Sequence, residues 1–195
     1  MSDADKYAPF GPFCLNENGI KKKIIDFLGG FITINRNHRE VHEGEFFSCG
    51  HTFLAVANSA TVYFRFLTGA KQFHYGFSID AEGKAFARIY RGTTYTDDGT
   101  TVDIFNNSDF SSNVALHTSF HTPTIDVIGT EITPTNGILV PGGIGPQSVG
   151  GSIKGSEERI ACVGTDYLIA VTNDSGFAKD ITIQVAGYES GTVLT

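Results

Sequence analysis

From Val41 to Gly187 this chain is a succession of short runs of β-branched and aromatic residues, each broken by Gly, Asn, Asp or Pro. Residues 61 to 67 (Thr-Val-Tyr-Phe-Arg-Phe-Leu) and 179 to 185 (Lys-Asp-Ile-Thr-Ile-Gln-Val) alternate with a period near two, which sends successive side chains to opposite faces of a sheet. No run sustains the three-and-four spacing of an amphipathic helix. The chain therefore reads as all-β, with no convincing helix.

Strands are expected near 41–48, 51–57, 61–68, 72–79, 85–91, 101–105, 113–121, 124–132, 158–163, 166–173 and 179–188. The breaks between them, such as Asn58-Ser59, Asp97-Asp98-Gly99 and Asp174-Ser175-Gly176, are tight-turn signals. Strands at this spacing indicate an antiparallel β-sandwich, jelly-roll-like. The period places Phe64, Phe66, Phe77, Ile89, Val114, Ile169, Val171, Ile181 and Ile183 between two sheets. Sixteen Phe and seven Tyr supply core volume, and Trp is absent.

Two segments fall outside the rhythm. Residues 1–40 mix turn-formers with two apolar patches, Ile24 to Leu28 and Phe31 to Ile34, too little for a core of their own. They read as an extended N-terminal arm on a 41–195 sandwich domain, with one short helical turn near Lys22 to Leu28. Residues 136–155 form a Gly-rich loop that keeps Ile138, Leu139, Val140 and Ile144. Two readings stand for that loop: an excursion lying on its own domain, or a contact arm ordered by a partner or a symmetry-related copy.

A net charge of −7 argues against broad nucleic-acid binding, which needs Lys and Arg to neutralise phosphates. The one basic cluster, Lys21-Lys22-Lys23, is either solvated or pairs with an acidic partner surface. Cys14, Cys49 and Cys162 are odd in number and far apart, so they read as free thiols, with Cys162 buried in a strand over Arg159 to Val163. No signal-peptide pattern and no membrane-length apolar run is present, and a soluble product that is not exported is expected.

The motifs that could carry chemistry are incomplete. His38 and His42 are spaced as in a zinc helix but precede an expected strand and lack the His-Glu-x-x-His order. Cys49 and His51 supply two ligands without a third. His117 and His121 share one strand face, with Leu116 and Phe120 on the other. Asp97-Asp98-Gly99 with Asp103 lacks the alternation of a calcium loop. Glu157 and Glu158 point to opposite sides of a strand. No enzyme, no cofactor and no tightly bound zinc is expected.

The order of segments is more informative. Glu40-Val-His-Glu-Gly-Glu-Phe-Phe47 opens the domain, Gly99-Thr-Thr-Val-Asp-Ile-Phe-Asn-Asn107 follows the central hairpins, and Ile181 to Glu189 closes it in Gly-Tyr-Glu. This succession, over residues 38 to 190, resembles tailed-bacteriophage virion proteins of the head decoration, or cement, type. Their sequences run from a His-x-Gly-x-x-Phe start through a Gly-Thr-x-(Val/Ile)-x-x-(Phe/Tyr)-Asn phrase to a strand ending in Tyr-Glu. The sequence departs from them at Asn106-Asn-Ser-Asp-Phe110, and at Arg159 and Ala186 or Gly187, where members often carry Trp.

The resemblance implies a sandwich on the outer surface of a capsid, made in the host cytoplasm. Its partners would be the major capsid protein and copies of itself, as a dimer or trimer, with no nucleic acid or membrane. Contact is expected from the arm, through Lys21, Lys22, Lys23, Phe27 and Phe31, and from the loop, through Ile138, Leu139, Val140 and Ile144. A phage tail, neck or fibre-associated protein and a carbohydrate-binding or cupin-like sandwich are the alternatives.

Overall fold

The computed structural model describes residues 14–15, 21–22, 36–133, 137–146, 150–154 and 158–190. The chain divides into two units, residues 1–36 and 37–195. In the first, β1 (Cys14–Leu15) pairs antiparallel with β2 (Lys21–Lys22), Cys14 opposite Lys22.

The second unit opens on a helix, α1 (Arg36–Glu43), where the alternation had indicated a strand from Val41. Its end explains why. Gly44 adopts φ +72°, its N–H donates to Val41 O (3.1 Å), and the Glu45 N–H donates to Glu40 O (2.9 Å). That pair of bonds is a Schellman cap, which satisfies the last helical carbonyls and turns the chain into the first strand. A Cβ on Gly44 would also lie 2.1 Å from Ser111 Oγ, so only glycine fits.

The strands are β3 (Phe46–Val56), β4 (Thr61–Leu67), β5 (Gln72–Ala81), β6 (Ala85–Arg91), β7 (Thr94–Asp97), β8 (Thr100–Val102) and β9 (Phe105–Asn106). They continue as β10 (Thr118–His121), β11 (Thr124–Val127), β12 (Thr130–Glu131), β13 (Ile138–Val140), β14 (Gly151–Lys154), β15 (Arg159–Ala161), β16 (Asp166–Asn173) and β17 (Lys179–Ser190). One sheet runs β12-β6-β16-β4-β10-β8 with β13 also on β6; the other runs β14-β5-β17-β3-β9 with β15 also on β5.

All pairings are antiparallel, and β3 to β6 alternate between the sheets before β16 and β17 return to their centres. This is a β-sandwich with jelly-roll order. Residues 92–129 are inserted between β6 and β12. They extend both sheets on one side, β9 beside β3 and β10 and β8 beside β4, and add the β7–β11 ribbon.

The two inner faces meet through aromatic rings. Phe66 of β4 packs edge-on against Tyr75 of β5, 4.9 Å between centroids, and stacks on Tyr167 of β16 at 5.1 Å. Phe64, Phe66, Phe77, Ile89, Ile169, Val171, Ile181 and Ile183 are all buried, as the period of two requires. Val114 is not: it is 81% exposed, because residues 107–117 form an irregular segment and the strand begins only at Thr118. Cys162 is likewise exposed, one residue beyond the end of β15, whereas Cys49 is in the core.

The Gly-rich segment 136–155 is bracketed by ladders. Its first part, β13, pairs with β6, and its last, β14, pairs with β5. Alternation along β13 buries Val140 completely and packs Ile138 on the core, leaving Leu139 half exposed. Val140 is therefore core, not contact surface.

Truncating Ile169 or Ile183 to Ala deletes methylenes from a site with no solvent access, and each is expected to cost about 2–5 kcal/mol. Urea unfolding measures it; midpoints equal to wild type would contradict the packing.

Candidate functional site

The opening, Asn-Asn and closing Tyr-Glu segments of the domain converge at one end of the sandwich. Asn106 of β9 donates from Nδ2 to Gly44 O (2.9 Å) and Asn113 O (3.1 Å), and the Asn107 N–H donates to Phe46 O (2.9 Å). Ser48 Oγ donates to Asn107 Oδ1 at 2.7 Å. The Glu189 N–H donates to Glu45 O, and Tyr188 lies opposite Phe46. Thus the His-x-Gly start, the Asn-Asn phrase and the closing Tyr-Glu form one junction. Gly187 is required there because a Cβ would lie 2.0 Å from His74 O on the neighbouring strand.

At its centre is a buried carboxylate hydrogen-bonded to an imidazole. The Glu189 carboxylate accepts from the amides of Leu116 (2.8 Å) and His117 (2.9 Å) and from the His117 ring at Nδ1 (2.7 Å). Both side chains are almost fully enclosed, and the His117 ring stacks on Phe73, 4.1 Å between centroids. Burial by itself would raise the Glu189 pKa, but the bonds from His117 and then Leu116 outweigh it and hold the carboxyl below its ordinary value. His117 Nε2 is buried with no hydrogen-bond partner among the described residues.

A second cluster lies on β5 and β17. His74 Nδ1 is 2.6 Å from Glu158 Oε1, its Nε2 is 3.3 Å from Ser190 Oγ, and its ring stacks on Tyr188. The Tyr188 hydroxyl donates to Glu158 and lies 3.1 Å from His74 Nδ1. A hydroxyl, an imidazole and a carboxylate in that order are the parts of an activated nucleophile. Here the phenol shares the imidazole and the carboxylate, and the group satisfies the polar atoms of two buried side chains, His74 and Tyr188. No spacing marks this cluster along the chain, since Ser190 lies 116 positions beyond His74.

Two further histidines join the two sheets at the β3–β10 side. His51 and His121 stack face to face, 3.6 Å between centroids and 6° between planes. Cys49 Sγ and Ser119 Oγ, 3.3 Å apart, form the next rung inward. Burial raises the Cys49 thiol to about 11, so it is un-ionised at neutral pH. His117 and His121 keep to one side of the strand but reach different partners, as do Cys49 and His51. Among the described residues, no group of three or more His, Cys, Asp or Glu side chains could hold a metal.

Asp97 and Asp98 serve the fold. Asp97 Oδ1 accepts from the Gly99 N–H, and Asp98 pairs with Arg65 at 2.6 Å. Arg65, buried on the outer face of β4, also meets Asp166 (2.7 Å) and lies under the Tyr95 ring of β7, which fastens the ribbon to the sheet. Burial pushes the Tyr95 hydroxyl up to about 12.

A groove of about 750 Å³ on the other sheet is lined by Thr52, Asp80, Glu82, Lys179, Asp180 and Thr182 among others. Asp180 Oδ1 accepts from the Ala55 N–H, and Lys179 donates to Pro146 O, so part of its polar lining is engaged internally. No aromatic side chain lines it among the described residues.

Of the expected contact residues, Lys23, Phe27 and Phe31 lie outside the described residues, and Lys21 and Lys22 form β2. Leu139 and Ile144 are exposed at the opposite end from the junction, with Phe86 and Phe177. Leu139 pairs directly with Phe86, and Ile144 Cγ2 lies 3.6 Å from where a Cβ on Gly176, beside Phe177, would sit. Backbone bonds from Lys84 N to Gly143 O and from Gly145 N to Ser175 O tie three turns together there. No family model, curated protein or solved structure matches the chain.

The acid response follows from these groups. Partial burial, then the charge of the neighbouring ring, lowers the pKa of His51, and burial lowers that of His121. Their contribution is complete above the unfolded value of 6.5 and is lost as pH falls toward the folded values. Glu189 behaves in the same sense lower down: its contribution is present above 4.5 and lost as pH falls through the folded value. Urea midpoints are expected to fall between about pH 7.5 and 5.5, and to fall less in His121→Gln. An equal fall in the variant would remove the stacked pair as the cause.

Proposed function

We propose that the chain is a bacteriophage capsid decoration (cement) protein that binds the outer surface of the major capsid lattice and copies of itself, stabilising the head. The observation that carries the reading is apolar surface left in solvent on a sandwich whose polar junction is buried. Phe86, Leu139, Ile144 and Phe177 expose it at the end opposite the Glu189 junction, and Phe105, Phe110 and Val114 expose it beside the junction.

A protein that works by adhesion needs such a surface on a rigid scaffold. Symmetric repetition then makes individually small contacts collectively strong. The acidic charge fits a protein partner better than nucleic acid. On this reading the protein is made in the host cytoplasm and ends on the virion surface, as a dimer or trimer.

The double variant Leu139→Ser with Ile144→Ser is expected to fold normally, since neither side chain is buried. Its affinity for expanded heads should fall roughly tenfold or more, about 1.4 kcal/mol, read by co-sedimentation. Wild-type occupancy by the variant would move the contact elsewhere. Mass spectrometry of purified particles tests the reading as a whole, and absence of the chain from them would end it.

A further inference from the structure

We propose that His38 and His42 form a bidentate surface site for a divalent late first-row metal ion of tetragonal or octahedral preference, Cu2+ or Ni2+ ahead of Zn2+. The four-residue spacing on α1 sets the two imidazoles on one face of the helix. Their Nε2 atoms are 3.0 Å apart, and the rings lie at 76° to each other with centroids 4.5 Å apart.

Two nitrogens each ~2.1 Å from one ion and about 90° apart lie ~3.0 Å from one another, whereas a tetrahedral ion at about 109° needs ~3.4 Å. The observed separation therefore matches adjacent positions around a tetragonal or octahedral ion. Both rings are exposed, and among the described residues neither has another hydrogen bond or ion pair. Among the described residues, the nearby carboxylates of Glu40 and Glu43 pair with Arg39, at 2.8 and 3.5 Å, and water can fill the other coordination positions.

Without metal, one ring's Nε2–H donates to the other ring. On binding, that neutral ring changes tautomer, its proton moving through solvent from Nε2 to Nδ1, and both Nε2 atoms then coordinate through their lone pairs with no net proton release. The ion would clip one turn of an eight-residue helix, a length that is marginal in isolation. This role is separate from capsid binding and does not depend on it.

The test uses the full untagged chain titrated with NiCl2 by calorimetry. Ni2+ is the probe because Cu2+ would oxidise the exposed Cys162 thiol. One equivalent should bind, and His38→Gln and His42→Gln should each weaken it roughly tenfold or more, while His51→Gln leaves it unchanged. Thermal midpoints of the metal-free variants, expected to match wild type, separate lost ligation from lost fold. Undiminished Ni2+ binding in either helix variant would overturn the site. Tighter binding of Zn2+ than of Ni2+ would overturn its geometry.

Discussion

The buried carboxylate of Glu189 is the interaction on which the rest of the structure depends. A jelly roll can be closed by its ladders alone, but this one carries a long insertion, residues 92–129, that must be fixed to both sheets. Glu189, near the end of the last strand, takes two amides and a ring nitrogen from residues 116 and 117 and so anchors the return of the insertion into β10. Leaving those donors unpaired in the interior would cost several times what each bond contributes net. The insertion then positions β10, whose inward side supplies Ser119 and His121 to the bridges with Cys49 and His51.

This dependence gives the two ends of the sandwich different characters. The end that holds Glu189 is closed, with the helix cap at Gly44, the amides of Asn106 and Asn113 and the final strand meeting through short polar bonds. The other is made of tight turns, and its apolar side chains remain in solvent. Apolar side chains are exposed beside the junction too, at Phe105, Phe110 and Val114, so on the proposed reading both ends offer contact surface.

The parts legible in the sequence are those in which ladders dictate direction. Phe64 and Phe66, or Ile181 and Ile183, alternate on strands paired on both sides, so period two assigns them without error. Val114 and Cys162 escape the period because no ladder directs their segments: Asn106 donates to Asn113 O, and Cys162 donates to the Tyr167 hydroxyl and accepts from Thr68. The helix was hidden because eight residues with one β-branched member show no apolar period, and its only mark was Gly44 after Glu43. The Gly-rich composition of 136–155 masks an edge strand in which Val140 and Leu139 alternate in and out. The polar clusters join residues 72 to 116 positions apart, and only topology brings such residues together.

The most direct measurement of the central claim is the equilibrium unfolding free energy of Glu189→Gln, which keeps the shape and removes the charge. Replacing the charged acceptor by a neutral amide weakens the bonds from Leu116 and His117 in a buried site and is expected to cost roughly 1–3 kcal/mol at neutral pH, with the cooperative transition retained. A variant within about 0.5 kcal/mol of wild type would show that the insertion is held by its ladders alone, and that the carboxylate is not what closes the sandwich.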